Sequence, residues 1–559
     1  IIRKKKTTAR HPNVDVVIAE MKLIFYCLTY GILCKGDPVE DCELSFLQTE
    51  RTLTQRGSFQ PNDLEQAIPE WFAHAAPQPY LTERPTISTE AILALGLGSM
   101  VFLLIIVWSF NEEVDETKHR HHNSPHVWRK FIAFMILMMY LLNYADRYNI
   151  AVAIIRISDE RGYDKRVQGL IQSVVYMGYL PGTVCFGHLA SPDVLGPYCA
   201  AVLACTCWSV ATLLTPLCAD SSLGLLLMIR IFLGFFEAAS APSTYQLAHQ
   251  WFPKLQAGHL LASGIAGQCA GAAIANAFGP MEDWRIVFYI FGVCGLLWCT
   301  VFLILASDVP ATHRYVSQEE RDAIEELQDD DRKSFAPTSQ PIPLLSLMRH
   351  SSVRGLMISE FCYSFLWYFW LSWMPSFFHD AFGLSVGESG VLGLVSYAVA
   401  MPAPFLWSKV FGTCFQRNGP SSLLKLRMTF VVISFLGAAL ANSLMLLTFR
   451  HLSALGATLL VMPTILVLCA KVVGTSGLLM DMGGEANSAR VGGLMHIFSA
   501  ISGSLSNVIV GYFLNTPSLG YTGVFILTTF LSLFGLAVQV TTGQVEIIQP
   551  GDCEDEALK

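Results

Sequence analysis

Apolar residues fall in long blocks, and charged residues collect between them. About twenty apolar residues wound as a helix cross a hydrocarbon core of about 30 Å. Six such blocks fall near 131–155, 168–189, 197–217, 222–243, 257–279 and 284–305. A polar, acidic stretch follows from Ser307 to Ser352. Six more blocks fall near 353–378, 388–411, 424–447, 455–480, 488–513 and 521–541. The pattern predicts an all-α membrane protein. Six helices, a loop and six more is the organisation of a carrier made of two halves around a midplane site.

Upstream, Ala91 to Phe110 is uncharged and of spanning length, which predicts one additional N-terminal transmembrane helix. From Met21 the chain reads MKLIFYCLTYGILCKG, with a basic start and a short apolar core. This reads either as a signal peptide or as a chance apolar patch, with Ile1 to Glu20 an upstream extension. The expected layout is therefore 1–34 extension and signal-like segment, 35–90 polar non-cytoplasmic segment and 91–110 extra helix. Then come 131–306 first bundle, 307–352 cytoplasmic loop, 353–541 second bundle and 542–559 cytoplasmic tail. Loop charge supports this orientation: about fifteen Lys and Arg fall on the cytoplasmic side against about six on the other. Ser317 and Glu320 form a capping-box pattern, which predicts a helix running on through RDAIEELQ in the central loop.

Composition agrees. The chain of 559 residues is 53% hydrophobic and 14% charged, well short of the roughly 25% charged residues of soluble domains. Mean hydropathy is +0.46. A net charge of −8 without basic patches gives no sign of nucleic acid. The fifteen cysteines lie mostly in apolar blocks and make no CxxC pair. No HExxH or GxxxxGK[ST] occurs, so zinc, phosphate-loop and enzyme readings lack support, and no cofactor is expected. His119, His121, His122 and His126 sit in a polar run and read as a solvated linker rather than a metal site.

The candidate chemistry lies inside the blocks. YLLNYADRYNI, from Tyr140 to Ile150, puts Asp146 and Arg147 in the middle of the first. A charge near a bilayer centre costs roughly 3 kcal/mol on insertion scales, so such residues usually mark a site or an ion path. Asn143 lies three and four residues before them, on the same helix face. This face predicts an anion site, with a structural ion pair as the competing reading. In the fourth block, Arg230 and Glu237 are seven residues apart, about 10 Å along one face. A carboxylate caught between desolvation and a nearby arginine can exchange a proton as its surroundings change. The other reading is a permanent Glu237–Arg147 pair that clamps helices. Ser263, Gly267, Gly271, Ala275 and Gly279 form a small-residue stripe that predicts close helix packing. In the seventh block, Tyr363 and Tyr368 are read equally as substrate contacts or as packing. Glu360 and Asp481 lie near cytoplasmic ends and read, like Arg230, as gating or structural charges. Lys471 lies deeper, with no assigned role.

Several segments together resemble the anion-transporter family of the major facilitator superfamily. That family includes sodium/phosphate, lysosomal sialic acid and vesicular glutamate transporters, with bacterial and fungal anion:cation symporter relatives. The resemblance rests on RIFLGFFEAASAP, on WFP at Trp251, on DWRIVFYIFG at Asp283 and on SDVPATHRYVSQEERDAIEEL at Ser307. GHLAS at Gly187 and LSWMPSFF followed by ESGVLGL are similar as well. It spans about Phe131 to Val540 and implies the major facilitator fold of two six-helix bundles. It implies that Arg147 binds the substrate anion, that Glu237 serves ion coupling and that Asp146 joins in proton coupling. Vesicular glutamate transporters carry Arg at the position of Tyr363 and His at that of Gln172, which points away from glutamate. The tyrosine looks more like the sialic acid branch.

The sequence thus predicts a secondary transporter of a small anion, an organic carboxylate or phosphate, moved with protons by alternating access. A sodium-coupled phosphate carrier and an anion channel or leak pore are the alternatives. Expected partners are a small anionic substrate, a proton or sodium ion and membrane lipid. Expected substrate contacts are Asn143, Arg147, Tyr363 and Tyr368; Asp146 and Glu237 are the expected coupling groups.

Overall fold

The computed structural model describes residues 127–252, 254–334 and 342–543, together with Ile548. The stretch at Met21, the segment 35–90, the predicted span at 91–110 and the four histidines lie outside the described residues. Among the described residues the chain is helical, with turns and no strand.

The first half comprises α1 (Val127–Arg161), α2 (Lys165–Leu189), α3 (Pro197–Ser221), α4 (Leu223–Glu237), α5 (Ser240–Trp251), α6 (Lys254–Ala277) and α7 (Arg285–Leu305). The central loop holds α8 (Gln318–Ser334) and the single turn α9 (Leu344–Leu347). The second half comprises α10 (Ser351–Phe382), α11 (Val386–Ala400), α12 (Ala403–Asn418), α13 (Leu423–Thr448), α14 (Ala454–Leu468), α15 (Thr475–Asn515) and α16 (Gly520–Thr542).

Nine segments among the described residues are long and apolar enough to cross a membrane. α2 and α10 are not among them, although they run for 25 and 32 residues. Both sequences hold glycine, hydroxyl and tyrosine residues, and α10 holds tryptophan as well, which lower their mean hydropathy. α15 is not one straight rod. The Ser488 hydroxyl donates to the Met480 carbonyl at 3.4 Å. Eight residues of straight helix would part them by about 12 Å, so the chain reverses between 481 and 488.

Three spans are broken, two of them beside proline. Pro242 has no N–H to give the carbonyl four residues back, so the helix interrupts at Ala238–Ala239, between α4 and α5. Pro402 and Pro404 part α11 from α12 in the same way. α14 ends in a 3₁₀ turn, Cys469–Val472.

The halves meet along helix pairs where small residues permit close approach. α2 packs on α15, α6 on α11 and α1 on α10. A Cβ on Gly169 or Gly511 would strike the backbone of the facing helix, at Asn507 and Lys165 respectively. On the other seam, Gly390 and Gly393 close on the backbone and side chain of Asn276. The stripe on α6 packs as expected, with Gly267 against Tyr140 and Gly271 against Tyr144 and Ala145 of α1. The side chain of Ser263 lies outside what is described. The Gly169 and Gly390 contacts lie towards one end of the bundle, where Lys165 also pairs with Asp380 at 2.6 Å.

The central loop is tied to the bundle. Ser317 caps α8 through the Glu320 N–H, at 3.2 Å. The predicted return half of the capping box does not form. Glu320 Oε1 instead accepts the N–H groups of Trp128 and Arg129, at 2.9 and 3.1 Å. A carboxylate is a good acceptor for such main-chain N–H groups.

Candidate functional site

The break after α4 leaves Glu237 at a helix end, deep in the bundle. Its side chain is 0% exposed, and that of Arg147 is 3% exposed. Arg147 Nε donates to Glu237 Oε2 at 2.8 Å. Asn143 braces the pair from both sides. Its Oδ1 accepts from Arg147 Nη2 at 3.3 Å, and its Nδ2 donates to the Glu237 carbonyl at 3.1 Å. The Ser240 hydroxyl donates to the same carbonyl at 2.8 Å, taking an acceptor that the helix break leaves open. The guanidinium of Arg147 also lies 5.1 Å from the ring centre of Tyr144 and 4.8 Å from that of Tyr179. Such contacts stabilise a cation in a dry site.

Arg230 is 1% exposed. Its Nη2 donates to the Arg147 carbonyl at 3.3 Å, and its Nε and Nη1 have no hydrogen-bond partner. It borders a small cleft together with Arg147, Tyr148, Gln172, Tyr176 and Ser372. The cleft draws on α1, α2 and α4 of the first half and on α10 of the second. Both amide atoms of Gln172 are also without partners. Two cations and a free amide around a cleft suit an anion with several oxygens.

Asp146 points elsewhere. It is fully buried, neither oxygen has a hydrogen-bond partner, and it does not line the cleft. The neighbouring Thr212 hydroxyl donates to the Trp208 carbonyl at 3.0 Å. Glu237 and Arg230 are its charged neighbours.

The two tyrosines of α10 do not line the cleft either. The Tyr363 hydroxyl donates to the Leu468 carbonyl at 3.2 Å, beside the 3₁₀ turn. Tyr368 meets Tyr176 edge to face at 5.0 Å, across the interface of the halves. Asp481 forms a two-point pair with Arg427, at 2.8 and 3.2 Å, that fastens α15 to α13. Glu360 pairs with Lys471 at 2.6 Å, which gives that lysine a partner the sequence did not suggest. Tyr148, Gln172, Tyr176 and Ser372 were not expected as lining residues. All four sit in apolar or aromatic runs, and only the meeting of α1, α2 and α10 brings them together.

The Major Facilitator Superfamily family model matches residues 136–507. Similar curated proteins include the sodium-dependent phosphate transport protein 1 of Arabidopsis thaliana chloroplasts. It is 27% identical over 74% of this chain and 79% of that protein. The chloroplastic ascorbate transporter of the same plant is 27% identical, over 74% of this chain and 76% of that protein. Vesicular glutamate transporter 3 of Danio rerio is 26% identical over 48% of this chain and 49% of that protein. Among solved structures, a bacterial homolog of the human lysosomal transporter Spinster superposes with a TM-score of 0.56 at 16% identity. That match covers 74% of this chain and 97% of that one. The E. coli xylose transporter gives a TM-score of 0.57 at 12% identity, over 74% and 99%.

Proposed function

Because the chain belongs to the Major Facilitator Superfamily and is an integral multi-pass membrane protein, we propose that it carries a small anion together with a proton by alternating access. The substrate class is an organic carboxylate or phosphate. The observation that carries this reading is Arg230, a buried guanidinium with two unpartnered donors on a cleft it shares with Arg147. Its relatives are named for phosphate, ascorbate and glutamate, all anions. Loop charge puts the segment between the halves on the cytoplasmic side.

An arriving anion takes the free donors of Arg230 and competes with Glu237 for Arg147. Charge balance makes a proton its natural companion. Among the described residues the site region holds three cations, Arg147, Arg230 and Lys471, and three carboxylates, Asp146, Glu237 and Glu360. They cancel. One added anion leaves an uncompensated charge in a medium where charge is costly, and one proton removes it. Glu237 is the receiving group, because the anion strips it of its partner on Arg147. Release of the anion on the far side returns Arg147 to Glu237 and frees the proton.

Sodium coupling is the second reading. Asp146 and Asn149 are three residues apart on α1 and offer buried oxygens without partners, and hard cations take oxygen ligands. Reconstitution into liposomes with phosphate, ascorbate and glutamate tests both. Uptake driven by a pH gradient with saturable counterflow supports the proton carrier. Uptake driven by sodium alone overturns the proton reading, and single-channel currents overturn the carrier.

A further inference from the structure

Each half pairs a charge on its first helix with an opposite charge at the break in its fourth span. In the first half these are Arg147 on α1 and Glu237 at the end of α4. In the second they are Glu360 on α10 and Lys471 in the 3₁₀ turn after α14. The signs are reversed between halves. The Lys471 side chain is 13% exposed and that of Glu360 is 4%. Swapping a buried ion pair for well-packed apolar residues is often neutral or stabilising, so this pair is poorly explained by stability alone.

The surroundings of Glu360 form a line of hydroxyls. Its Oε1 accepts both Lys471 Nζ, at 2.6 Å, and the Ser364 hydroxyl, at 2.9 Å. The Ser364 hydroxyl is 2.8 Å from that of Ser499 on α15. Ser499 in turn faces the Tyr368 phenol, which has both Arg147 and Glu360 as electrostatic neighbours. Tyr368 rests on Tyr176, a wall of the cleft. His496 of α15 faces Glu360 and Lys471, and the Lys471 ammonium lies 4.3 Å from the Tyr363 ring centre. Glu360 Oε2 is buried without a partner.

We propose that Glu360 is the cytoplasmic-side exchange group for the coupled proton, joined to the anion cleft by the hydroxyls of Tyr368, Ser499 and Ser364. This rests on the proton-coupled reading above. Glu360 is nine residues from the start of α10, about 14 Å along the helix, and so lies between the cleft and the cytoplasmic end. A proton arriving from the cleft bonds to the Tyr368 oxygen as the phenol passes its own proton to Ser499. Ser499 passes one to Ser364, and Ser364 passes one to Glu360 Oε1. One O–H bond forms at the carboxylate and each hydroxyl ends with the proton count it began with. The Lys471 ammonium shifts to Oε2, which has no other partner. Loss of the proton to the cytoplasm restores the pair, and the reverse order loads the carrier.

The test is the ratio of protons to anions moved, read with a pH dye inside liposomes holding the full chain. Inorganic phosphate, ascorbate and glutamate each serve as the probe anion. Two variants are compared with the unmodified protein: Ser364→Ala with Ser499→Ala, which breaks the line, and Glu360→Gln with Lys471→Gln, which keeps the interior charge balance. The ratio should fall at least tenfold in both. An unchanged ratio in either variant, even with slower transport, overturns the proposal, because a merely structural role lowers rate and leaves the ratio alone. If the unmodified protein moves anions without protons, the coupling reading fails along with it; if only the variants keep their ratio, the coupling reading stands and the route through Glu360 falls.

Discussion

Arg230 donates to the main-chain carbonyl of Arg147 at 3.3 Å, so two buried arginines stand side by side over one cleft. Arg147 spends its charge on Glu237, whereas Arg230 has no carboxylate within ion-pair distance among the described residues. Removing Arg230 should therefore cost binding more than folding. Arg230→Met should weaken anion binding at least about thirtyfold, or roughly 2 kcal/mol, the lower end for truncating a buried charged partner. Binding of the panel anions to purified protein by calorimetry checks this; affinity within threefold of the original would refute the role.

Arg147→Lys keeps the charge but cannot donate to Glu237 and Asn143 together in the planar geometry of the guanidinium. Uptake should drop at least about tenfold, the equivalent of about 1.4 kcal/mol, with normal expression. Near-normal uptake by Arg147→Ala would remove Arg147 from the substrate site.

Glu237→Gln fixes the side chain in an uncharged form. Counterflow of anion for anion needs no net proton movement and should persist. Accumulation against a gradient, driven by imposed pH, should vanish. Asp146→Asn should act in the same direction, more weakly, because Asp146 does not line the cleft. Both readouts belong in the same liposomes, and continued concentration of substrate by Glu237→Gln would exclude it as the coupling group.

Glu320 gives a pH prediction outside the membrane. Burial holds its carboxyl above the usual carboxylate range, against the opposing pull of the Arg129 and Trp128 N–H groups. A group whose folded-state pKa is raised contributes stability below its unfolded value and loses it as pH rises through the folded value. Docking of α8 on α1 should thus be firmest in mild acid and loosen towards neutrality. Hydrogen exchange across 310–326, followed from pH 4.5 to 8, reads this out. Glu320→Gln keeps an acceptor for both N–H groups and should flatten the profile; an undiminished pH dependence would exonerate Glu320.

Gly234 of α4 faces the backbone of Val175 on α2, and Gly178 of α2 faces the backbone of Ile231. Neither site has room for a methyl group. Gly234→Ala should destabilise by about 1–3 kcal/mol, the usual cost of overpacking a tight contact. A thermal midpoint equal to that of the original protein would show that the seam can part.

The helices were legible in outline because hydrocarbon demands long apolar runs, and α1 to α7 and α10 to α16 overlap the predicted blocks, some of them, such as α5 and α12, running past the ends. The Arg147–Glu237 pair was legible for the same reason, since charges in such runs stand out. Arg230 was visible as a buried charge, but its spacing from Glu237 does not reveal that its Nε and Nη1 lack partners. For Tyr363 the sequence left substrate contact and packing equally open. A hydroxyl in a span needs an acceptor, and the acceptor was the Leu468 carbonyl beside a helix end. Lys471 and Glu360 lie 111 residues apart, and no periodicity within one helix reports a contact made between two. Glu320 fitted a local capping pattern, but its carboxylate instead takes the N–H groups of Trp128 and Arg129, a contact that no local pattern reports.

The three cations and three carboxylates buried in the two halves carry one more consequence. A unit charge crossing the whole membrane field gains or loses about 2.3 kcal/mol per 100 mV. With all six ionised, these groups present no net charge to that field. The return step of the unloaded bundle should then proceed at the same rate whether the membrane is polarised or not, leaving any voltage dependence to the loaded step. Clamping proteoliposomes at several potentials and timing the reorientation of the empty protein measures this directly, and a rate that changes with voltage would mean that one of the six groups is not in its charged form.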